Sequence, residues 1–280
     1  MCTLTWAHHT SDRPVAGPVT NLGSEAGVAT RDGYRLWFNR DEMRSRGPEV
    51  PPRVEQARGG LNYIAPSDSD AGGTWIAVNE LGITVCLLNG YRAPRAPDRE
   101  EWTSRGHLVR ELAGARSHAE VWRRMAPSQL SPFRPLVLAV IAPGRPALIV
   151  RWDGKDAVLD PRGELQLPII SSSDQQSEVD RSRRQRFREM VRTDARSGEP
   201  VDPAELEAYQ SWTPLGGPDA FSPSMSRPDA GTRSSHIHAE ECGVKGRTKT
   251  ASSPQARLPS LPEFRINRCA CPGGSGSSQS

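Results

Sequence analysis

Short alternations of apolar and polar residues dominate the chain, and long helical periods are few. Residues 2–6, Cys2-Thr3-Leu4-Thr5-Trp6, alternate as a strand does, and Tyr34-Arg35-Leu36-Trp37-Phe38 resumes one that ends in Asn39-Arg40-Asp41-Glu42. Between them, residues 10–31 are rich in Ser, Pro, Gly and Thr, carry no hydrophobic period and read as a loop insertion. Gly47 to Pro52 reads as a turn-rich connector. The clearest hairpin joins Thr74–Val78 to Ile83–Leu88 through Asn79-Glu80-Leu81-Gly82, with a glycine where a positive φ is needed.

Two helices are expected near 100–113 and 117–126, the second opened by a Ser117-x-x-Glu120 capping box. Strands then return at 135–141, 147–152, 157–160 and 165–170, with hairpin-like turns at Ala142-Pro143-Gly144 and Asp153-Gly154-Lys155. A charged helix is expected near 178–193, and Asp202-Pro203 reads as an N-cap and first-turn proline opening a short helix to about Gln210. Strands near 221–225 and 232–238 come last; beyond about 243 hydrophobic patterning fails, and Gly273–Ser280 is a Gly/Ser tail. This order, with hairpin-like joins, predicts an α+β fold of antiparallel sheet covered by helices. It places one domain over 1–242 and an irregular, disordered tail over 243–280.

Composition narrows the classes. Hydrophobic residues make up 35% of the 280, and a net charge of +3 is too small to suggest the concentrated basic face of a nucleic-acid binder. No apolar stretch approaches the roughly 18 residues that span a bilayer. The first residues have neither a basic start nor an apolar core, so they do not read as a secretion signal. Five cysteines, at 2, 86, 242, 269 and 271, form no disulfide framework and point to a reducing compartment, with the cytoplasm as the expected location.

Cys2 is the most suggestive residue. Methionine aminopeptidases remove Met1 before a small second residue, which would leave a thiol and a free α-amine on one residue. That amine titrates near 7.7–8.0 and can act as base toward its own side chain. Taken alone, Cys2 reads more readily as an inert strand residue, since a single cysteine is a weak signal. In Asn39-Arg40-Asp41-Glu42, strand alternation puts Asn39 and Asp41 on one face and Arg40 and Glu42 on the other. Asp41 could orient a new amino terminus, or the group could be a solvated turn. His236-x-His238 puts two imidazoles on one face, a metal or haem contact or a plain surface strand. Cys269-x-Cys271 lacks a second ligand pair, and Gly72-Gly73 has no following Lys-Ser/Thr for a phosphate loop. Arg181, Arg183, Arg184, Arg186 and Arg188 read as the solvated face of a helix.

Five motifs in order carry a resemblance: Met1-Cys2-Thr3-Leu4-Thr5-Trp6, Leu36–Glu42, Gly72–Asn79, Gly82–Asn89 and Gly231-Thr232-Arg233-Ser234. Together they resemble the Asn-Arg-Asp-Glu family, also called transport and Golgi organisation protein 2-like, over most of residues 1–9 and 32–240. That family looks related to the N-terminal-nucleophile (Ntn) hydrolases, and the resemblance implies an αββα sandwich of two antiparallel sheets between helical layers, with Cys2 at its centre. The nearest enzymes implied are the choloylglycine hydrolases and penicillin V acylases, which cleave amide bonds with an N-terminal Cys. Their Arg-Asn-x-Asp motif matches Asn39 and Asp41, but its Arg falls on Phe38, and Arg40 is displaced by two positions. Where they place an oxyanion Asn, this chain has Ser171-Ser172-Ser173.

The resemblance therefore implies Cys2, Asp41 and Arg233 as catalytic residues, and Asn39, Arg40, Asn89 and Ser172 as substrate-binding ones. The ligand expected is a small-molecule amide or a hydrophobic compound, with no cofactor, metal, nucleic acid or membrane span. A second reading stays open, because related family members are linked to haem trafficking and to lipid or acyl-CoA handling. It makes the protein a non-enzymatic intracellular carrier.

Overall fold

The structure is a computed structural model and describes residues 2–11, 31–91, 101–192, 201–240, 243–250 and 264–267. Its first sheet holds β1 (Cys2–Ser11), β2 (Arg31–Met43), β10 (Ile169–Ser171), β11 (Ala230–Glu240), β12 (Gly243–Thr250) and β13 (Phe264–Asn267), in the order β10-β1-β2-β11-β12-β13. Its second sheet runs in sequence order through β3 (Val50–Gln56), β4 (Asn62–Ser67), β5 (Ile76–Asn79), β6 (Thr84–Asn89), β7 (Leu136–Ala142), β8 (Arg145–Trp152) and β9 (Ala157–Asp160). Every pairing between named strands is antiparallel.

The alternation seen in the sequence explains how these sheets stack. Leu4, Trp6, Tyr34, Leu36 and Phe38 project from the first sheet onto Ile64, Ile76, Val78, Cys86, Leu88, Ala139 and Ile141 of the second, forming one buried layer between them. The opposite face of the second sheet buries Tyr63, Val85, Leu87, Leu138 and Val140 beneath α1 (Arg105–Leu112), α2 (His118–Arg123) and α3 (Pro127–Leu130). The opposite face of the first sheet packs Ala7 and Trp37 against α4 (Gln176–Met190) and α5 (Pro203–Ser211) through Phe187, Leu206 and Tyr209. The layers are helix, sheet, sheet, helix, so the αββα expectation holds. Strands β5, β6 and β7 are covered on both faces, which is why Ile76–Asn79 and Thr84–Asn89 read as nearly unbroken runs of buried residues.

Several local expectations are corrected. The connector expected at Gly47–Pro52 leads into β3 from Val50, and β4 follows without having been anticipated. Pro51 and Pro52 fit because β3 is an edge strand with a register shift between Val50 and Arg53, where missing N–H donors cost little. The strand expected at 165–170 divides into a single 3-10 turn, Gly163–Gln166, and the short β10. Residues 221–225 are bends rather than strand, held by Asp219, whose carboxylate accepts from the Phe221 and Ser222 N–H groups. The irregular tail expected from 243 contains β12 and β13. They form because β11 offers an open backbone edge, and a ladder uses main-chain groups that need no apolar pattern. Residues 12–30 of the insertion, Cys242, Cys269, Cys271 and the Gly273–Ser280 tail lie outside the described residues, as do the side chains of His236 and His238.

One polar residue ties the hairpin to the helical layer. Asn79, fully buried at the end of β5, accepts from the Leu81 and Ile83 N–H groups at 3.1 Å each. Its amide donates to the carbonyls of Ala113 at 3.0 Å and Ala115 at 2.8 Å, just beyond α1. Asn79→Ala removes the partner of these four backbone groups, three of them buried and the Leu81 N–H part-buried, and is expected to lower stability by about 2–4 kcal/mol in urea unfolding.

Candidate functional site

A cleft of ≈ 600 Å³ opens between the two sheets, with Cys2, Arg40, Trp75, Asn89, Arg105 and Ser173 among the residues that line it. Cys2 begins β1, which is flanked on both sides: Cys2 lies opposite Ser171 on β10 and opposite Arg40 on β2. It shares the inward face with Leu4 and Trp6 and packs at the margin of the inter-sheet layer. Burial pushes its thiol above the usual cysteine range, and the Asp41 carboxylate adds to that. The positive N-terminus, Arg40 and a hydrogen bond from the Asp41 N–H act the other way.

Arg40 forms part of the cleft wall. Its guanidinium lies 4.0 Å over the Trp75 ring and pairs with Glu42 at 2.6 Å and Asp68 at 2.9 Å, with Glu49 at 3.8 Å. Arg46 reaches Asp68 at 2.8 Å from the other side. Asp68 would be raised by its burial, but the Ala71 N–H, Arg46, Arg40 and the Asp70 N–H together hold it below the usual carboxylate range. A lowered folded-state pKa contributes stability that is present above the unfolded value of about 3.9 and lost as pH falls through the folded one. Asp68→Asn is therefore expected to flatten the acid limb of a stability–pH curve below about pH 4, as read by thermal melting across pH. Glu49 shifts the opposite way: burial raises it, only partly offset by Arg40 and Arg233.

Alternation along β2 is as expected, and its consequence is that Asn39 and Asp41 face α4 and α5. Asn39 donates to the carbonyls of Gln210 at 2.7 Å and Pro223 at 2.9 Å, so it braces α5 and does not line the cleft. Asp41 borders the cleft, but its carboxylate is held from behind. Oδ2 takes Arg183 Nη2 at 3.0 Å, both side chains wholly buried, and Oδ1 accepts from the Thr232 hydroxyl. Arg183 also donates to the Thr3 hydroxyl and to the Phe221 carbonyl, while the Tyr209 hydroxyl donates to the Arg183 carbonyl. One guanidinium thus joins α4 to β1 and β2 immediately behind Cys2.

The solvated-face reading of Arg183 is corrected by this burial. The signal was present: Val179, Arg183 and Phe187 are spaced four apart, so Arg183 sits on the same helix stripe as two apolar residues that mark the buried face. Its neighbours behave as expected, Arg184 pairing with Asp180 and Arg186 with Glu189 across one helical turn.

The remaining candidates divide. Asn89 lines the cleft, its amide donating to the Tyr91 hydroxyl at 2.8 Å, and its backbone carbonyl accepts from the Ser171 hydroxyl of the other sheet. Ser172 is buried and turned away; its hydroxyl donates to the Asp174 carbonyl and its N–H to Gln176 Oε1, which closes the turn into α4. Ser173 is the serine that reaches the cleft. Arg233 lies opposite Arg40 in the β2–β11 ladder and acts electrostatically on Glu49, but it does not line the cleft. The Gly72-Gly73 motif serves packing: Thr74 N–H bonds the Gly106 carbonyl at 3.2 Å, and a Cβ on Gly106 would lie 2.7 Å from Thr74 N. The two backbones thus meet where α1 borders the cleft. Among the described residues, no group of three or more His, Cys, Asp or Glu side chains could hold a metal, and no helix is long and apolar enough to cross a membrane.

The model of the Transport and Golgi organisation 2 family matches residues 28–202, more than half of the chain. The chain belongs to that family. The family match runs from just before β2 to the residue that precedes α5, so it contains Asn39–Glu42, Trp75, Asn89 and Arg183, while Cys2 and Arg233 lie outside it. No curated protein matches the sequence. Among solved structures, penicillin V acylase from Agrobacterium tumefaciens superposes with a TM-score of 0.44 at 15% identity, covering 84% of this chain and 83% of that one. Within the Transport and Golgi organisation 2 family frame, the described geometry brings Cys2, Arg40, Asp41 and Asn89 to one cleft. It sets Asn39, Ser172 and Arg233 apart from it.

Proposed function

We propose that this protein hydrolyses a non-peptide amide of a small molecule in the cytoplasm, with Cys2 as nucleophile once Met1 has been removed. The observation that carries this reading is the position of the Cys2 thiol in the wall of the inter-sheet cleft, on the first residue of a strand paired on both sides. The cleft's own side chains supply no ready base. No histidine or lysine is among its lining residues, and Asp41, Glu42 and Asp68 are each bound to an arginine. Since burial raises the thiol, a base must come from elsewhere, and the α-amine released with Met1 is the group that removal of Met1 itself creates.

The chemistry then balances in two steps. The thiol passes its proton to the α-amine as Cys2 Sγ bonds to the amide carbonyl carbon. The C–N bond breaks, and that proton leaves on the amine. Water then adds to the thioester, releasing the carboxylic acid and restoring the thiol. Asn89, which keeps one amide hydrogen beyond its bond to Tyr91, is the donor this reading assigns to the carbonyl oxygen. Asp41 and Arg183 are positioning residues that fix the backbone around Cys2.

Intact-protein mass spectrometry tests the reading. Protein isolated from cells is expected to begin at Cys2 and to gain one acyl mass from an acyl-amide substrate, whereas Cys2→Ala gains none. Retention of Met1, or the absence of an adduct across acyl amides of several chain lengths, removes the hydrolase. The carrier reading draws support from Ser172, which is turned away where the resemblance calls for an oxyanion donor. In its haem form it expects a Soret shift on titration, and a flat spectrum ends that form.

A further inference from the structure

Five arginines line the cleft: Arg40, Arg46, Arg105, Arg134 and Arg227. Three of them are neutralised by carboxylates. Arg40 and Arg46 share Asp68, and Arg227 pairs with Asp174 at 3.1 Å and Asp229 at 3.0 Å. Arg105 and Arg134 differ, because among the described residues neither guanidinium has a carboxylate within ion-pair distance. Arg105 is half-buried and Arg134 exposed at the cleft rim, so two like charges without a counter-ion stand beside one another there.

The pair is held in place by the backbone. Thr103 and Phe133 form a parallel bridge, and the Thr103 N–H bonds the Pro132 carbonyl at 3.1 Å, so the segments carrying Arg105 and Arg134 run side by side. Arg105 Nη1 donates to the carbonyl of Pro135 at 2.9 Å, next to Arg134 in the chain. The Arg134 guanidinium lies 5.8 Å from the Trp102 ring centroid. Each guanidinium is therefore anchored at one side and keeps N–H donors for a ligand. Burial lowers the Arg105 pKa most, Tyr91 and Cys2 oppose this, and the nearby Arg134 charge lowers it further. It remains a cation at any working pH. The influence of Cys2 also means that the pair and the thiol share one electrostatic environment.

We infer that Arg105 and Arg134 form an oxyanion subsite in the cleft wall, so that the compound taken by the cleft carries a carboxylate or phosphate in addition to its scissile amide. A planar guanidinium offers paired N–H groups at the spacing of two oxygens on one carboxylate or phosphate, which suits this role better than recognition of a neutral chain. The inference rests on the amide-hydrolase reading for the amide alone; the anion subsite is defined by its own residues.

The test measures binding, so that it stands apart from turnover. Full-length Cys2→Ala protein is titrated calorimetrically with N-decanoylglycine, with the phosphate ester of N-decanoylethanolamine, and with uncharged N-decanoyl methylamide. At least one anionic compound is expected to bind about tenfold or more tighter than the methylamide, the size of one charge-assisted contact. The two anionic arms distinguish carboxylate from phosphate. Arg105→Gln/Arg134→Gln is expected to erase the preference while leaving methylamide binding within about twofold, and unchanged melting shows that the variant is folded. Equal binding of charged and uncharged compounds, failure of both anions to bind, or a preference that survives the double substitution overturns the subsite. If the preference holds but Cys2 protein never acquires an acyl mass, the hydrolase reading fails and the subsite stands.

Discussion

Arg183→Met is expected to destabilise the fold by about 3–5 kcal/mol, the range for removing one member of a buried ion pair and stranding the other. The Asp41 carboxylate would remain behind β2 without its guanidinium, with the Thr232 hydroxyl still donating to it. The Thr3 hydroxyl and the Phe221 carbonyl would lose a donor at the same time. The companion variant Arg183→Met/Asp41→Leu removes both charges and is expected to recover a good part of that loss, because an apolar pair of similar volume is often no worse than a buried ion pair. Urea unfolding of the two variants measures the difference. Equal loss in both would mean that Arg183 acts through packing and its Thr3 and Phe221 bonds, and that the ion pair contributes little.

The second large effect concerns the start of the chain. An N-terminal extension that cannot be removed is expected to leave melting unchanged and to abolish amide hydrolysis, a loss of about 10³-fold or more, comparable to Cys2→Ala. The extended protein keeps its thiol and its cleft but lacks the free α-amine. Hydrolysis persisting in the extended protein while Cys2→Ala is inactive would assign the base to another group. The same extended protein should still show the Arg105/Arg134 preference for anionic compounds, since that preference does not depend on the amine.

Much of the architecture was legible because strand alternation is a local property. The 2–6 and 34–38 alternations and the hairpin around Asn79–Gly82 led directly to the two faces that sandwich the inter-sheet core. The capping box at Ser117 appears with the Glu120 N–H donating to the serine hydroxyl, and Asp202 caps α5 through the Ala204 N–H. What local pattern could not supply were partners distant in sequence. β3 was hidden by its prolines, and β12 and β13 form on a backbone edge that no side-chain period announces. Arg183 is the sharpest case: its spacing with Val179 and Phe187 marked it as buried, but its charge argued for water. The conflict is resolved only by Asp41, 142 positions away in sequence. Of the residues singled out at strand ends, Cys2, Arg40 and Asn89 line the cleft. Asn39 and Ser172 lie away from the cleft; motif position does not reveal which side of a sheet a polar group serves. Arg105 and Arg134 carried no signal until the Thr103–Phe133 bridge brought their segments together.

The double flanking of β1 also sets an order of events during synthesis. β2 leaves the ribosome soon after Cys2, but β10, α4 and β11 follow only after more than half of the chain has been made. A peptidase must grip an extended N-terminus, and the native ladder holds Cys2 between Arg40 and Ser171. If Met1 is trimmed as proposed, the trimming belongs to the interval before β10 docks. On the proposed hydrolase reading, a chain that misses that interval would fold with its thiol in place and its base still capped.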